Sequence, residues 1–210
     1  MVFGLLLTGT LDVLPARPGP PLVAPGWTVE GWPCKETLGL RLGVGVGTLS
    51  LFGGDTSPGR RTLLVGVQWS RVLHETDRYR LDYVAAAIPL ELAIGSLVES
   101  CSSPGGTEAR TLYGGGLDPV GLQITASRGR VRPMAGLSGG LRVFTNPFPC
   151  PGGTRFNVVL DVRVGIVAPL DGGRTLTGTV SLHHLSNGGL GEHNPGLNQL
   201  VFEAAISFAR

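Results

Sequence analysis

The chain has 210 residues, 42% of them hydrophobic and only 15% charged, with a formal net charge of +2 and a mean hydropathy of +0.22. This length suits one domain, and the lack of a basic cluster disfavours a nucleic-acid partner. No uninterrupted apolar run reaches the length of about 18 residues that a transmembrane helix needs, which leaves a soluble all-β domain or a membrane β-barrel.

The N-terminus has a short apolar stretch, residues 2–7, followed by a proline-rich run. It lacks the basic start and the small-residue cleavage site of a secretory signal. We interpret residues 1–35 as the remnant of an export signal followed by a flexible arm. An ordinary disordered N-terminus is the alternative. The barrel domain is then expected to span residues 36–210.

From Thr37 onward apolar residues alternate with small or polar ones, as in LGLRLGVGV at residues 38–46. This period of two predicts β-strands, and eight strands is the smallest number typical of a membrane barrel. Pro89 and Glu91 interrupt the third strand, which predicts a bulge or an end of pairing there. The predicted strands cover residues 37–52, 60–75, 79–95, 117–127, 131–145, 155–169, 174–187 and 197–209.

The predicted connections alternate in length along the chain. Short turns fall near residue 77 and at 127–130 and 171–174, and longer connections at 53–59, 96–116, 146–154 and 188–196. Short turns at one end and long loops at the other are typical of an outer-membrane barrel. Since both termini of an even-stranded barrel share the periplasmic side with the short turns, the long loops are expected at the cell surface.

The residues that alternate with the apolar face also favour a barrel. A soluble sandwich would turn a lysine- and glutamate-rich face to water, yet Lys35 is the only lysine. Glycine, serine, threonine and paired charges suit the lumen of a narrow barrel instead. The expected lumen charges are Arg41, Asp161, Arg163 and Glu203, and the expected interfacial aromatic residues are Trp69, Tyr79 and Phe208. We therefore predict an all-β, eight-stranded antiparallel outer-membrane β-barrel.

The three cysteines lack the CxxC spacing of a metal site, and no metal or cofactor is expected. Cys101 and Cys150 both fall in long loops at one end of the predicted barrel, whereas Cys34 precedes the first strand at the other end. This placement predicts a Cys101–Cys150 disulfide, which an oxidising compartment permits.

The segment SLHHLSNGGLGEHNPGLNQL, residues 181–200, holds three of the four histidines. Because Leu182 belongs to the lipid-facing set, alternation puts His184 and Ser186 on the lipid face as well. The same count on the next strand puts Asn198 on that face, close to Ser186. His183 points into the lumen, where we expect hydrogen bonding among Asp161, Arg163 and Glu203. A metal site formed by His183, His184 and His193 is not expected, since the first two histidines point in opposite directions.

Polar side chains that face lipid need a reason, because the bilayer core offers no hydrogen-bond partners. His184 and Ser186 are two apart on one strand face, about 7 Å between Cα atoms, which lets their side chains meet. Such a pair can be a general base and a nucleophile, with Asn198 orienting the imidazole. The candidate oxyanion donors are Asn187, Gly188, Gly189 and Asn194. The simpler interpretation of these four candidate donors is that they belong to an ordinary glycine-rich turn.

The pattern HLSNGGL followed by NPGLN resembles the outer-membrane lipid A 3-O-deacylases of the PagL type. The resemblance covers the last two strands. It implies an eight-stranded barrel that hydrolyses the ester-linked acyl chain at position 3 of lipid A, in the lipopolysaccharide of the outer leaflet. By position, the nucleophile falls on Ser186, the base on His184 and an asparagine linked to the oxyanion hole on Asn194. It also implies a bacterial outer-membrane location, with the site near the cell-surface leaflet.

One position departs from that family. The acidic residue of its triad is a glutamate, and the matching residue here is Asn198, while Glu192 in the loop is an alternative acid. An asparagine can orient an imidazole but cannot compensate its positive charge; in a serine protease this replacement costs about 10⁴ in rate. The hypotheses are therefore a lipid A esterase, a non-catalytic barrel whose hairpin is a structural or surface-binding element, and a soluble lipid-carrying barrel.

Overall fold

The computed structural model describes residues 35–46, 60–97, 108–148, 153–192, 194 and 196–210. Eight antiparallel strands form a closed barrel in which sequence neighbours pair and the last strand pairs with the first. The strands are β1 (Glu36–Val46), β2 (Arg61–Glu75), β3 (Tyr79–Leu97), β4 (Glu108–Ala126), β5 (Arg132–Phe148), β6 (Thr154–Leu170), β7 (Arg174–Ser186) and β8 (Leu197–Ala209). The predicted eight-stranded antiparallel barrel is confirmed.

In the described part of the chain, no helix is long and apolar enough to span a membrane.

The predicted start of β4 is wrong. The strand begins at Glu108, so residues 108–116, which were expected in a loop, belong to the barrel wall. Gly114, Gly115 and Gly116 hide the alternation because they have no side chains to point either way. The glycines also permit close packing, since a Cβ on Gly116 would collide with the carbonyl oxygen of Leu141.

Several expectations fall on residues that the structure does not describe. These are the N-terminal arm up to residue 34, the end of the first predicted strand at 47–52, and the three cysteines. The Cys101–Cys150 disulfide therefore stays a prediction.

A β-bulge interrupts β3 where Pro89 lies. The register between β3 and β4 shifts between Ile88 and Glu91, and pairing continues to Leu97, so the predicted bulge is confirmed and an end of pairing is wrong. Pro89 and Leu90 are both exposed on the outer wall, which reverses the inward–outward order. As a result, Glu91 is fully buried in the lumen.

The lumen charges form ion pairs between side chains of different strands. Nε of Arg142 lies 2.7 Å from Glu91, and its Nη1 lies 2.6 Å from Asp118. Two of the expected lumen charges, Arg41 and Glu203, also pair, with Nε of Arg41 2.8 Å from the Glu203 carboxylate. All five side chains are almost inaccessible to solvent, so each charge depends on its partners for stabilisation.

The lumen and the outer wall have opposite chemistry. An apolar cluster fills the lumen at the long-loop end, next to the ion pairs: Ala93, Leu112, Phe144, Phe148, Val159, Leu185 and Leu197. Large aliphatic side chains cover the outside, for example Leu40 at 58% and Val164 at 60% exposure. Such an outward-facing apolar band suits contact with lipid.

Candidate active site

The end of β7 places two chemically reactive side chains on the outer wall. His184 and Ser186 alternate with the buried residues His183 and Leu185 and are themselves half-buried. Their outward placement is therefore the one that alternation predicts. On β6, His184 pairs with Leu160 and Ser186 pairs with Val158, both of which belong to the exposed apolar wall.

Asn198 on β8 is bonded to the imidazole of His184. The two residues are direct partners in the β7–β8 register, and Nδ1 of His184 lies 2.7 Å from Oδ1 of Asn198. Because an amide oxygen only accepts hydrogen bonds, this contact assigns the hydrogen to Nδ1 and leaves Nε2 with a lone pair. An imidazole in that tautomer can take a proton from a neighbouring hydroxyl through Nε2.

The amide nitrogen of Asn198 has no such contact. Nδ2 is buried and has no hydrogen-bond partner among the described residues. A buried donor without a partner costs about 1–3 kcal/mol. Asn198 thus accepts the hydrogen bond of the imidazole through Oδ1, while its own Nδ2 group is left without an acceptor among the described residues.

The loop after β7 is held by hydrogen bonds centred on Asn187. Its backbone N–H donates to Oδ1 of Asn194 at 3.0 Å, and its Oδ1 accepts the N–H of Gly189 at 2.9 Å. Gly188 and Gly189 have φ values of +63° and +80°, a conformation that favours glycine. Two of the N–H groups predicted as oxyanion donors, those of Asn187 and Gly189, are therefore used within the loop.

His183 faces the lumen, as expected, and its partners differ in part from the expected ones. Nδ1 lies 2.7 Å from Asp161, and Nε2 lies 3.6 Å from Glu91. Glu203 was expected near this imidazole but bonds Arg41 instead, and Arg163 bonds the hydroxyl of Ser138. The bulge in β3 explains the Glu91 contact, because it turns this side chain inward.

Glu192, the alternative acid, is exposed in the loop. The Nδ1 side of the His184 imidazole, where an orienting acid would lie, is occupied by Asn198. His193 lies outside the described residues.

An apolar surface lies below the histidine and serine, as the lipid-facing alternation of the last three strands predicts. Leu182 and its β8 partner Leu200 lie on the same wall, next to Leu160 on β6. The sequence signal for this surface is the period-two alternation of apolar residues on β6 to β8. The arrangement places the candidate nucleophile and base at the upper edge of a lipid-facing surface.

Comparisons with known proteins agree with this geometry. A family model described as "Lipid A 3-O-deacylase (PagL)" matches residues 69–207, more than half of the chain. The structure described as "Crystal structure of the outer membrane enzyme PagL" has a TM-score of 0.57 and 16% identity, covering 82% of this chain and 99% of that one. At this identity the likeness concerns the fold alone.

A mutant of Rh. blastica porin, at 12% identity, covers 82% of this chain and 98% of its own, but its TM-score of 0.12 carries no argument. No curated protein matches the chain.

Proposed function

Because the chain belongs to the PagL family of lipid A 3-O-deacylases, we propose that it hydrolyses the 3-O-linked acyl ester of lipid A with Ser186 as nucleophile and His184 as base. Family membership implies an ester hydrolase of lipid A in the bacterial outer membrane, and it agrees with the resemblance of the hairpin sequence. The assignment of the two residues is the further step. The observation that carries it is the 2.7 Å contact between His184 and Asn198.

The reaction follows from that contact. Nε2 of His184 takes the proton of Ser186 as Oγ attacks the ester carbonyl carbon, which gives a tetrahedral oxyanion. When the oxyanion collapses, the bond to the 3-oxygen of the sugar breaks and Nε2–H returns the proton to that oxygen. Water then gives a proton to His184 and attacks the acyl-enzyme, and the fatty acid leaves as Ser186 Oγ is reprotonated.

Two donors are left for the oxyanion once the loop bonds of Asn187 and Gly189 are set aside. We assign them as the N–H of Gly188 and the exposed side-chain amide of Asn194. The side chain of Asn194 fits this role because its Oδ1 is fixed by the N–H of Asn187 at 3.0 Å, which orients the amide. Fixed donors of this kind stabilise developing negative charge.

The position of the pair supports a substrate in the outer leaflet. His184 and Ser186 lie at the long-loop end of β7, on the lipid-facing wall. With the short turns and both termini in the periplasm, that end lies at the cell surface. The acyl chain of lipid A would then extend along the apolar wall below the pair.

Mass spectrometry of lipid A incubated with the detergent-refolded protein tests this function. We expect the wild type to remove one 3-hydroxyacyl group and Ser186→Ala to remove none. Ser181→Ala is the matched control, because it changes a buried serine on the lumen side of the same strand. Deacylation by Ser186→Ala at the wild-type rate would contradict the mechanism.

The second candidate is a non-catalytic barrel, and the observation that favours it is the amide at position 198 in place of a carboxylate. It predicts that the folded wild type leaves lipid A unchanged and does not react with a serine-directed esterase probe.

A further inference from the structure

An open apolar groove runs along the outer wall on the side of the barrel opposite β7. Its volume is about 360 Å³, and much of it is open to the surroundings of the barrel. Ala85 and Ala87 on β3 form its floor. Larger side chains from the neighbouring strands form its walls: Leu38, Val67, Trp69, Leu117 and Pro119.

The strand register explains the shape of the groove. Ala85 pairs with Trp69, and Ala87 pairs with Val67 on one side and with Leu117 on the other. Two methyl groups on one strand, between larger side chains on both neighbours, leave a trench that follows β3. A trench of this form fits a linear hydrocarbon chain.

The end of the trench nearest the short turns is polar. Trp69 and Tyr83 meet edge to face with ring centroids 5.9 Å apart, and the Tyr83 hydroxyl donates to the carbonyl oxygen of Pro119. Arg71 is the next outward residue on β2 and pairs with Tyr83 across the strands. Tryptophan, tyrosine and arginine in this order mark the boundary between hydrocarbon and headgroups.

Arg71 is available to an anion. Its side chain is 62% exposed, and its ion pair with Glu36 is long, at 3.8 Å, and exposed to solvent. Such surface pairs hold an arginine only weakly. Basic side chains also outnumber acidic ones at this part of the described rim, with Lys35, Arg71, Arg78, Arg128 and Arg130 against Glu36, Glu75 and Asp77.

We propose that this groove binds an anionic phospholipid of the periplasmic leaflet, with one acyl chain in the trench and the phosphate at Arg71. The leaflet follows from the orientation proposed above, which puts the short turns in the periplasm. Charge complementarity selects an anionic headgroup, since clustered basic residues at a membrane surface attract such lipids. The site is distinct from the ester-hydrolysing site, because it lies on β2 to β4.

Native mass spectrometry of the full chain released from detergent micelles tests this proposal. The probes are phosphatidylglycerol and phosphatidylcholine with identical acyl chains. Ala87→Phe fills the trench and is expected to lower phosphatidylglycerol occupancy about tenfold, because the acyl chain loses its apolar contacts. Ala135→Phe is the matched control: Ala135 is exposed on the lipid-facing side of β5, outside the groove, and the variant is expected to bind like the wild type.

Arg71→Gln tests the headgroup contact separately. We expect phosphatidylglycerol occupancy to fall about fivefold and the preference over phosphatidylcholine to disappear. Heat-dependent gel mobility verifies that each barrel is folded, and Ala87→Leu replaces Ala87→Phe if the larger side chain prevents folding.

Equal occupancy in the wild type, Ala87→Phe and Ala135→Phe would overturn the proposal, because binding would then be general adhesion to the wall. Equal binding of the two lipids by the wild type would overturn the proposed preference for an anionic headgroup. Both readouts measure binding alone, so an inactive esterase site would leave them unchanged.

Discussion

Oδ1 of Asn198 accepts a hydrogen bond from Nδ1 of His184 across the β7–β8 pair, at 2.7 Å, while the Nδ2 group of the same asparagine is buried with no hydrogen-bond partner among the described residues. The asparagine therefore fixes the tautomer of the imidazole but offers no negative charge to an imidazolium. This relationship predicts that the esterase is slower than the same site would be with a carboxylate at position 198.

Asn198→Asp is expected to raise the rate of deacylation by about 10²–10⁴, since a carboxylate of the same shape stabilises the imidazolium and removes the unsatisfied donor. Asn198→Leu removes the acceptor and is expected to lower the rate. The measurement is single-turnover release of the 3-hydroxy fatty acid. An Asn198→Asp variant that is folded and no faster would show that charge at this position does not limit turnover.

Substitutions at Asn194 distinguish two roles of its side chain, which are to hold the loop and to donate to the oxyanion. Asn194→Asp keeps the acceptor for the N–H of Asn187 but loses the amide donor. If Nδ2 binds the oxyanion, the turnover number falls about 10²–10³-fold in both Asn194→Asp and Asn194→Ala. Steady-state kinetics on purified lipid A checks this. Recovery of the rate by Asp, but not by Ala, would limit Asn194 to holding the loop.

The lumen ion pairs are expected to dominate the effect of mutation on stability. Arg142→Met leaves the buried carboxylates of Glu91 and Asp118 without their shared partner and is expected to lower the free energy of unfolding by about 3–5 kcal/mol. Arg128→Met breaks an exposed pair with Asp77 and is expected to cost less than about 1 kcal/mol. Urea titration of the refolded protein compares the two, and similar losses would contradict this ranking.

Two glycines inside strands should respond in opposite ways to the same change. Gly116→Ala forces a methyl group against the Leu141 carbonyl and is expected to destabilise the barrel by about 1–3 kcal/mol. Gly178 on β7 has open space at its Cβ position, so Gly178→Ala is expected to be neutral or to stabilise by about 0.4–1 kcal/mol. The midpoint of urea unfolding measures both.

Period-two alternation, together with the loop lengths and the scarcity of lysine, was sufficient to predict the barrel, and alternation alone brought two candidate site residues together. Parity along β7 put His184 outward, and parity along β8 put Asn198 on the same face, where the two are bonded. This worked because both strands run without a bulge between the relevant residues and the short turn.

The same argument failed where the alternation is broken. The bulge at Pro89 reverses the faces of β3, so the sequence did not identify Glu91 as a partner of His183 or of Arg142. The loop bond between Asn187 and Asn194 was also beyond prediction, because it depends on how two backbone segments meet after the strand ends.

The packed lumen has a consequence for the cell that carries this protein. Buried ion pairs and the apolar cluster fill the described interior, and the cavity beside Arg41 and Glu203, at about 20 Å³, has room for about one water molecule. In the described part of the barrel, these side chains occupy the space that a water-filled channel would need. We therefore expect the barrel to add little to the permeability of the membrane that holds it.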